Sequence, residues 1–466
     1  MGHLKVASNI IQVFIPEVIP LENKGEEAIL RGLEDVLFPG QKVHFHILAY
    51  NCNKPETMGN LTIYPDKWFY PCWVFREVYL SFNPLDVLNM MGFLFQGVRN
   101  RLPFLASKAH LAVWLNERLM HSSSIFARIW KMRAAALKTL SKVDFVLAGH
   151  DEAMGLREAH LLKGLAKIGL EFGIFGCGMN SRWSNAAVAE VYRTTFHLSK
   201  FLYFRDHETW KGIHGREGIA AAQLAPDPAF GMCAAEESVV EEFIKKEGLT
   251  SLFSKQVVAI TVVENAVIMK SFKSHKSTRQ KAKAHYRLIG NFVDHLAKNW
   301  GVNVLFLPHC IGPTPRLDDR RVARNVLRYS KVDPGAVRIL ETPCNARLLK
   351  GLIKRSSFLI GERTHSLIGA VSVGTPFICL GSLSDKRTRE IIGKMCHASD
   401  LVYDLQEARL EDLIRFADNI WKERNAVKQR MKQIGVGIRH DLEEAAQVAR
   451  TRMSGHLQKN HTEPCL

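Results

Sequence analysis

No Cys-x-x-Cys pair occurs in this chain, and its nine cysteines are odd in number and scattered from Cys52 to Cys465. Such spacing supports neither a disulfide framework nor a zinc knuckle, so reduced thiols in a cytoplasmic protein are expected. An uninterrupted apolar run of about 18 residues is also missing. The most apolar stretch is broken by Arg76, Glu77, Asp86, Arg99 and Arg101, which excludes a membrane-spanning helix there. The first residues, MGHLKVASNIIQVFIPEVIP, place Glu17 and two prolines where a signal peptide needs apolar residues, and Val6 stands where N-myristoylation wants Ser or Thr. Export is therefore not expected. Repeats with periods of about 20–50 residues and low-complexity tracts are lacking, so solenoid architectures drop out. Carboxylate clusters at metal-ligand spacing are lacking too, and no metal or other cofactor is expected.

What is present is a large basic chain. Its 466 residues are 47% hydrophobic, enough for roughly two to four domains. Lys and Arg total 63 against 46 Asp and Glu, a net charge of +17 that favours an anionic partner. Short β-branched runs alternate with helix-period segments almost from end to end, the pattern of parallel sheets built from strand-helix-strand units. Two series separate. The first contains VASNIIQVFI, KVHFHILAY, VDFVLAG, FGIFGCG and FLYFRD; the second contains QVVAITVV, VNVLFLP, AVRIL, SFLIGERTH and PFICLG. The expected fold is α/β, with two doubly wound Rossmann-like domains facing a cleft, spanning 1–230 and 231–466 and joined within 230–255. A charged helical segment from Leu410 to Met453 is placed to pack back across the first domain.

The stretch Lys67–Lys142 interrupts the first series as an insertion. Trp73, Phe75, Trp114, Phe126 and Trp130 mix there with Arg99, Arg101, Lys108, Arg118, Arg128, Lys131 and Arg133. That mixture suits peripheral contact with an anionic membrane at its inner face, and it equally suits helices covering a sheet.

Ligands of doubly wound sheets bind beyond the carboxyl ends of the strands, so the residues following each apolar run carry the chemistry. After the first strand, Asn23 and Gly25 open a turn into a helix whose free N–H groups make an anion cradle or only a connection, with Glu27 close by. After VDFVLA come Gly149, His150, Asp151 and Glu152, a reactive cluster or a helix cap. After FLYF comes Arg205, which either projects into the crevice or pairs with Asp206 or Glu208. The fullest corner is FLIGERTHSLIGAVSVGTPFICLG. It places a fork donor, Arg363, and a titratable group, His365, at the start of a helix whose dipole faces the same crevice.

The run Gly361-Glu362-Arg363-Thr364-His365, then Gly374-Thr375-Pro376 and Lys386, resembles the arginine-x-histidine block of polysaccharide pyruvyltransferases. Asn23-Lys24-Gly25-Glu26-Glu27-Ala28-Ile29-Leu30 is similar to that family's N-terminal turn, with Glu26 where aspartate is usual. Arg205-Asp206 and Pro226-Asp227-Pro228-Ala229 resemble two further segments, in the family's order, whereas Gly149-His150 stands where a Gly-Gly pair is common. The resemblance covers about Asn23 to Asp404 outside the insertion. It implies a glycosyltransferase-B type fold and transfer of the pyruvyl group of phosphoenolpyruvate to a sugar or lipid-linked oligosaccharide acceptor, with no nucleic acid partner. Arg205, Arg363 and His365 would be catalytic; Asn23, Gly25, Thr364 and Lys386 would join them in holding the donor; His150 and Glu27 would face the acceptor. Two other functions suit the same features: a nucleotide-sugar-dependent glycosyltransferase, and a non-catalytic basic protein docking on membranes or polyanions.

Overall fold

The computed structural model describes residues 10–50, 52–70, 125–152, 154–179, 186–216, 219–264, 272 and 277–460. Eight strands form the first sheet: β1 (Ile10–Val18), β2 (Lys42–Ala49), β3 (Glu56–Met58), β4 (Leu61–Pro65), β5 (Phe145–Ala148), β6 (Phe172–Cys177), β7 (Leu202–Phe204) and β8 (Ala222–Leu224). Their order is β3-β4-β2-β1-β5-β6-β7-β8, and only β3 runs antiparallel to its neighbour. The second sheet joins β9 (Val257–Thr261), β10 (Asn303–Phe306), β11 (Val337–Ile339), β12 (Phe358–Gly361), β13 (Phe377–Gly381) and β14 (Val402–Asp404) in the order β11-β10-β9-β12-β13-β14, all parallel. Two facing Rossmann-like units result, as expected. Central strands such as β1 and β12 are buried along both faces, which is why their sequences read as continuous apolar runs rather than alternations.

Helices cover these sheets: α1 (Lys24–Leu37), α2 (Ile125–Leu140), α3 (Leu156–Lys167), α4 (Ala186–Leu198), α5 (His207–Lys211), α6 (Glu237–Lys246), α7 (Thr278–His295), α8 (Asp319–Leu327), α9 (Ala346–Arg355), α10 (Thr364–Val373), α11 (Leu410–Lys422) and α12 (Arg424–Asn460). The helix expected near Lys386 is a π-helical turn over Thr388–Met395. Strands β3, β4, β8 and β14 were not anticipated. They have three to five residues each and lie at or beside sheet edges, where solvent satisfies one side and an apolar run is not needed.

One hydrophobic core runs from β1 through α1 into both faces of the second sheet, and a smaller one fills the other face of the first. The domains are tied at their hinge side. Arg347 of α9 grips both carboxylate oxygens of Asp35 at 2.6 Å, and buried Lys350 donates to the carbonyl of Met232 at 2.5 Å. Helix α12 crosses back to the first domain, where Arg450 donates to the carbonyl of Val36 and Arg452 to that of Lys200. The predicted membrane-facing aromatic and basic side chains lie outside the described residues, apart from Arg133; the end of that stretch forms α2, which buries Ala136 and Leu140. Among the described residues no helix is long and apolar enough to cross a membrane.

Candidate active site

Strand order reverses between β1 and β5 in the first sheet and between β9 and β12 in the second. Such switch points open crevices at the carboxyl ends of the strands. The two crevices face each other around a cavity of about 350 Å³, lined by Asn23, Gly25, Glu26 and Glu152 on one side and His309, Arg363, Thr364, His365, Lys386 and Arg387 on the other. That volume suits a small metabolite.

Local chemistry sets each group. Asn23 caps α1 by accepting from the N–H of Gly25, and the next N–H, that of Lys24, donates across the cleft to the carbonyl of His309 at 2.7 Å. Gly25 then meets His365 directly. A Cβ built on Gly25 would lie 2.3 Å from His365 Nδ1, so glycine is required here by close approach of the two domains rather than by its dihedral freedom. His365 Nε2 lies 3.8 Å from Asp227 and has no hydrogen-bond partner among the described residues. Burial lowers the His365 pKa, although Asp227 and Asp151 oppose the shift, so the imidazole is neutral at neutral pH.

Arg363 is pinned by Asp319, which accepts from Nη2 at 2.6 Å and from Nε at 3.2 Å. The same buried carboxylate accepts the backbone N–H groups of His309 and Cys310. This grip uses one edge of the guanidinium, and among the described residues Nη1 is left for a ligand. The first N–H groups of α10, at Thr364 and His365, lack intrahelical partners by their position and add a positive dipole end. Lys386 reaches across the cleft to the carbonyl of Met179, the hydroxyl of Thr209 and, at 3.2 Å, Asp206. Arg387 makes a parallel crossing to Asp151 at 2.9 Å and Glu152 at 3.2 Å. Cations of the second domain are thus held in place by carboxylates of both domains before any ligand arrives.

Other expected residues sit differently. Arg205 does not project into the crevice: it is 1% exposed and lies between Asp227, 2.6 Å from Nη1, and Asp151. The expected partners Asp206 and Glu208 are not the ones it takes. Two buried carboxylates outweigh the desolvation cost and raise its pKa further. Asp227 consequently stands between Arg205 and His365. His150 is 1% exposed and lies behind Glu26, whose carboxylate is 2.9 Å from its Nε2. Burial disfavours its protonation, yet Glu26, Glu17 and Asp151 overcome this and raise its pKa. Glu27 pairs with Lys24 at 3.0 Å and does not line the cavity; its neighbour Glu26 does. Glu26, Asp227, His309, Asp319 and Arg387 were not singled out from the sequence as site residues. His309 follows a strand run, and Asp227 lies in a segment already noted, so both signals were there.

The model of polysaccharide pyruvyl transferases matches residues 23–384. The chain belongs to the polysaccharide pyruvyl transferase family. It is accordingly a transferase; the match begins just after β1, takes in the switch point between β9 and β12, and ends just before Lys386 and Arg387. No curated protein matches. Solved structures similar to this pyruvyl transferase chain include an α,α-trehalose 6-phosphate synthase from Burkholderia multivorans, at 13% identity and TM-score 0.47 over 97% of this chain and 99% of that one. A UDP-GlcNAc 2-epimerase from Neisseria meningitidis, bound to UDP-GlcNAc, is 12% identical with TM-score 0.49 over 96% and 99%.

Proposed function

We propose that this chain transfers the pyruvyl group of phosphoenolpyruvate to hydroxyls of a sugar within a polysaccharide or its lipid-linked precursor. The observation that carries the reading is the convergence of Arg363, His365, Lys386 and the N-terminus of α10 on one cavity opposite Gly25 and Glu26. Phosphoenolpyruvate bears a carboxylate and a phosphate monoester, up to about three negative charges. The free Nη1 edge of Arg363 and the N–H groups of α10 suit one of these anions, and Lys386 the other.

A proton adds to the methylene carbon, and a sugar hydroxyl forms a C–O bond at the neighbouring carbon while giving up its own proton. For a cyclic ketal a second hydroxyl then displaces phosphate, which leaves with the C–O electron pair and that hydroxyl's proton. His365 is the proton carrier to the methylene. Its imidazole becomes easier to protonate beside an anionic donor, so donor binding loads the acid. Asp227, anchored by Arg205, would stabilise the resulting imidazolium. Glu26, backed by His150, faces the cavity from the first domain and suits the acceptor side.

The reading is tested by thermal denaturation with phosphoenolpyruvate, nucleotide sugars and anionic vesicles added separately, since only a ligand bound by the native state raises the melting temperature. Phosphoenolpyruvate should raise it. Stabilisation by a nucleotide sugar and none by phosphoenolpyruvate would replace this reading with glycosyl transfer. Peripheral attachment through the Lys67–Lys142 stretch predicts salt-sensitive flotation with anionic vesicles; equal flotation with neutral ones would refute it.

A further inference from the structure

His309 follows β10, and its backbone, but not its ring, takes part in the contacts that shape the site. It is 6% exposed, it lines the cavity beside Arg363, and both ring nitrogens, Nδ1 and Nε2, lack a hydrogen-bond partner among the described residues. A buried imidazole left with an unmade donor and an unmade acceptor is costly, and such groups in native sites await a partner. Its backbone is fixed from both domains: the N–H donates to Asp319 at 3.1 Å, and the carbonyl accepts from Lys24. Asp319 is also the carboxylate that pins Arg363. One buried group therefore sets the positions of the guanidinium and of this imidazole together.

We propose that His309 is a further donor-binding residue, whose ring N–H hydrogen-bonds an anionic oxygen of the group gripped by Arg363. This rests on the phosphoenolpyruvate reading above. Burial, aided by the positive charges of Arg363 and Lys24, lowers its pKa to about 3, so it serves as an uncharged donor and not as an acid. A neutral donor next to a guanidinium adds directionality without adding charge, which separates its role from that of Lys386.

The test is calorimetric titration of the full-length protein with phosphoenolpyruvate. The wild type should bind, and His309→Leu should bind about 10- to 100-fold more weakly, with a melting temperature in the absence of ligand equal to or above that of the wild type. His309→Gln, which restores an N–H, should recover part of the loss. Equal affinity of the wild type and a folded His309→Leu overturns the inference and leaves the donor reading intact. A wild type that fails to bind phosphoenolpyruvate overturns both. Should His309→Leu not fold, the ring 15N resonances of His309 in the wild type decide: they must shift as phosphoenolpyruvate is added, and resonances that stay in place refute the contact.

Discussion

Replacing Gly25 by alanine sets two physical effects against each other. In a helix, alanine is favoured over glycine by about 1 kcal/mol, so α1 by itself should gain from the change. The new methyl, however, would stand 2.3 Å from His365 Nδ1, 2.8 Å from Cγ and 3.2 Å from Cβ. Ordinary contact requires more than about 1 Å of additional separation at the nearest atom. The ring cannot swing away cheaply, because Asp227 and the backbone of α10 bound it on the other side. Either His365 moves by roughly 1 Å or the cleft opens by that amount. Misplacement of a reacting group on this scale can cost about 10²-fold in rate. Gly25→Ala should therefore lose about that much turnover at saturating donor, and since relieving an overpacked contact costs about 1–3 kcal/mol against the helix gain of about 1 kcal/mol, its melting temperature should lie at or below that of the wild type. Gly437→Ala is the control. Gly437 lies in α12 with open space around it, so the same exchange should give the helix gain with no loss of turnover. The assay is pyruvyl transfer alongside a thermal melt, and full turnover by a folded Gly25→Ala protein would refute the close-approach argument.

His365→Ala should lower turnover by roughly 10²–10⁴-fold even at saturating phosphoenolpyruvate and leave the fold intact, as checked by kinetics and circular dichroism. With His365 as the acid and its pKa lowered by burial, kcat/KM should fall as pH rises past that lowered value, and the limb in kcat should lie at higher pH because the bound donor favours the imidazolium. Arg363→Lys should mainly raise the donor concentration needed, by about tenfold or more, since an ammonium cannot hold both oxygens of Asp319 and still present a fork; kinetics at varied donor checks this. Glu17 is fully buried, accepts from the N–H of Gly149 through Oε1, and has no partner at Oε2 among the described residues. Burial pushes its carboxyl up to about 7, so the folded state favours the protonated form. The stability this gives is complete below about pH 4.5 and is lost as pH rises to 7, a change on the order of 3 kcal/mol. Glu17→Gln should be stabilised relative to wild type above pH 7 but not at pH 4.5, as read from melts across that range.

How far the sequence reached depends on which interaction makes each feature. Long buried strands such as QVVAI and SFLIG need apolar residues throughout, so they announced themselves, and with them the two switch points and the corner at Arg363 and His365. Edge strands β3 and β14 need little burial, and they were silent. Arg205 shows a different limit. Its place at a strand end was legible, but its enclosure by Asp151 and Asp227 depends on residues more than twenty positions away in either direction along the chain, which no local pattern reveals. Glu26 and Glu27 illustrate helical phase. They are adjacent in sequence, yet a turn of about 100° per residue sends one to the cleft beside His150 and the other to Lys24. The need for glycine at position 25 likewise comes from the opposite domain.

The central claim is the donor, and product stoichiometry tests it most directly. The protein is incubated with phosphoenolpyruvate and a panel of polysaccharide and lipid-linked oligosaccharide acceptors, and phosphate release is measured against the ketal methyl signal by NMR. The account predicts one phosphate for each ketal formed, with both signals lost together in His365→Ala. Glycosyl transfer from a nucleotide sugar with phosphoenolpyruvate left unconsumed would contradict it.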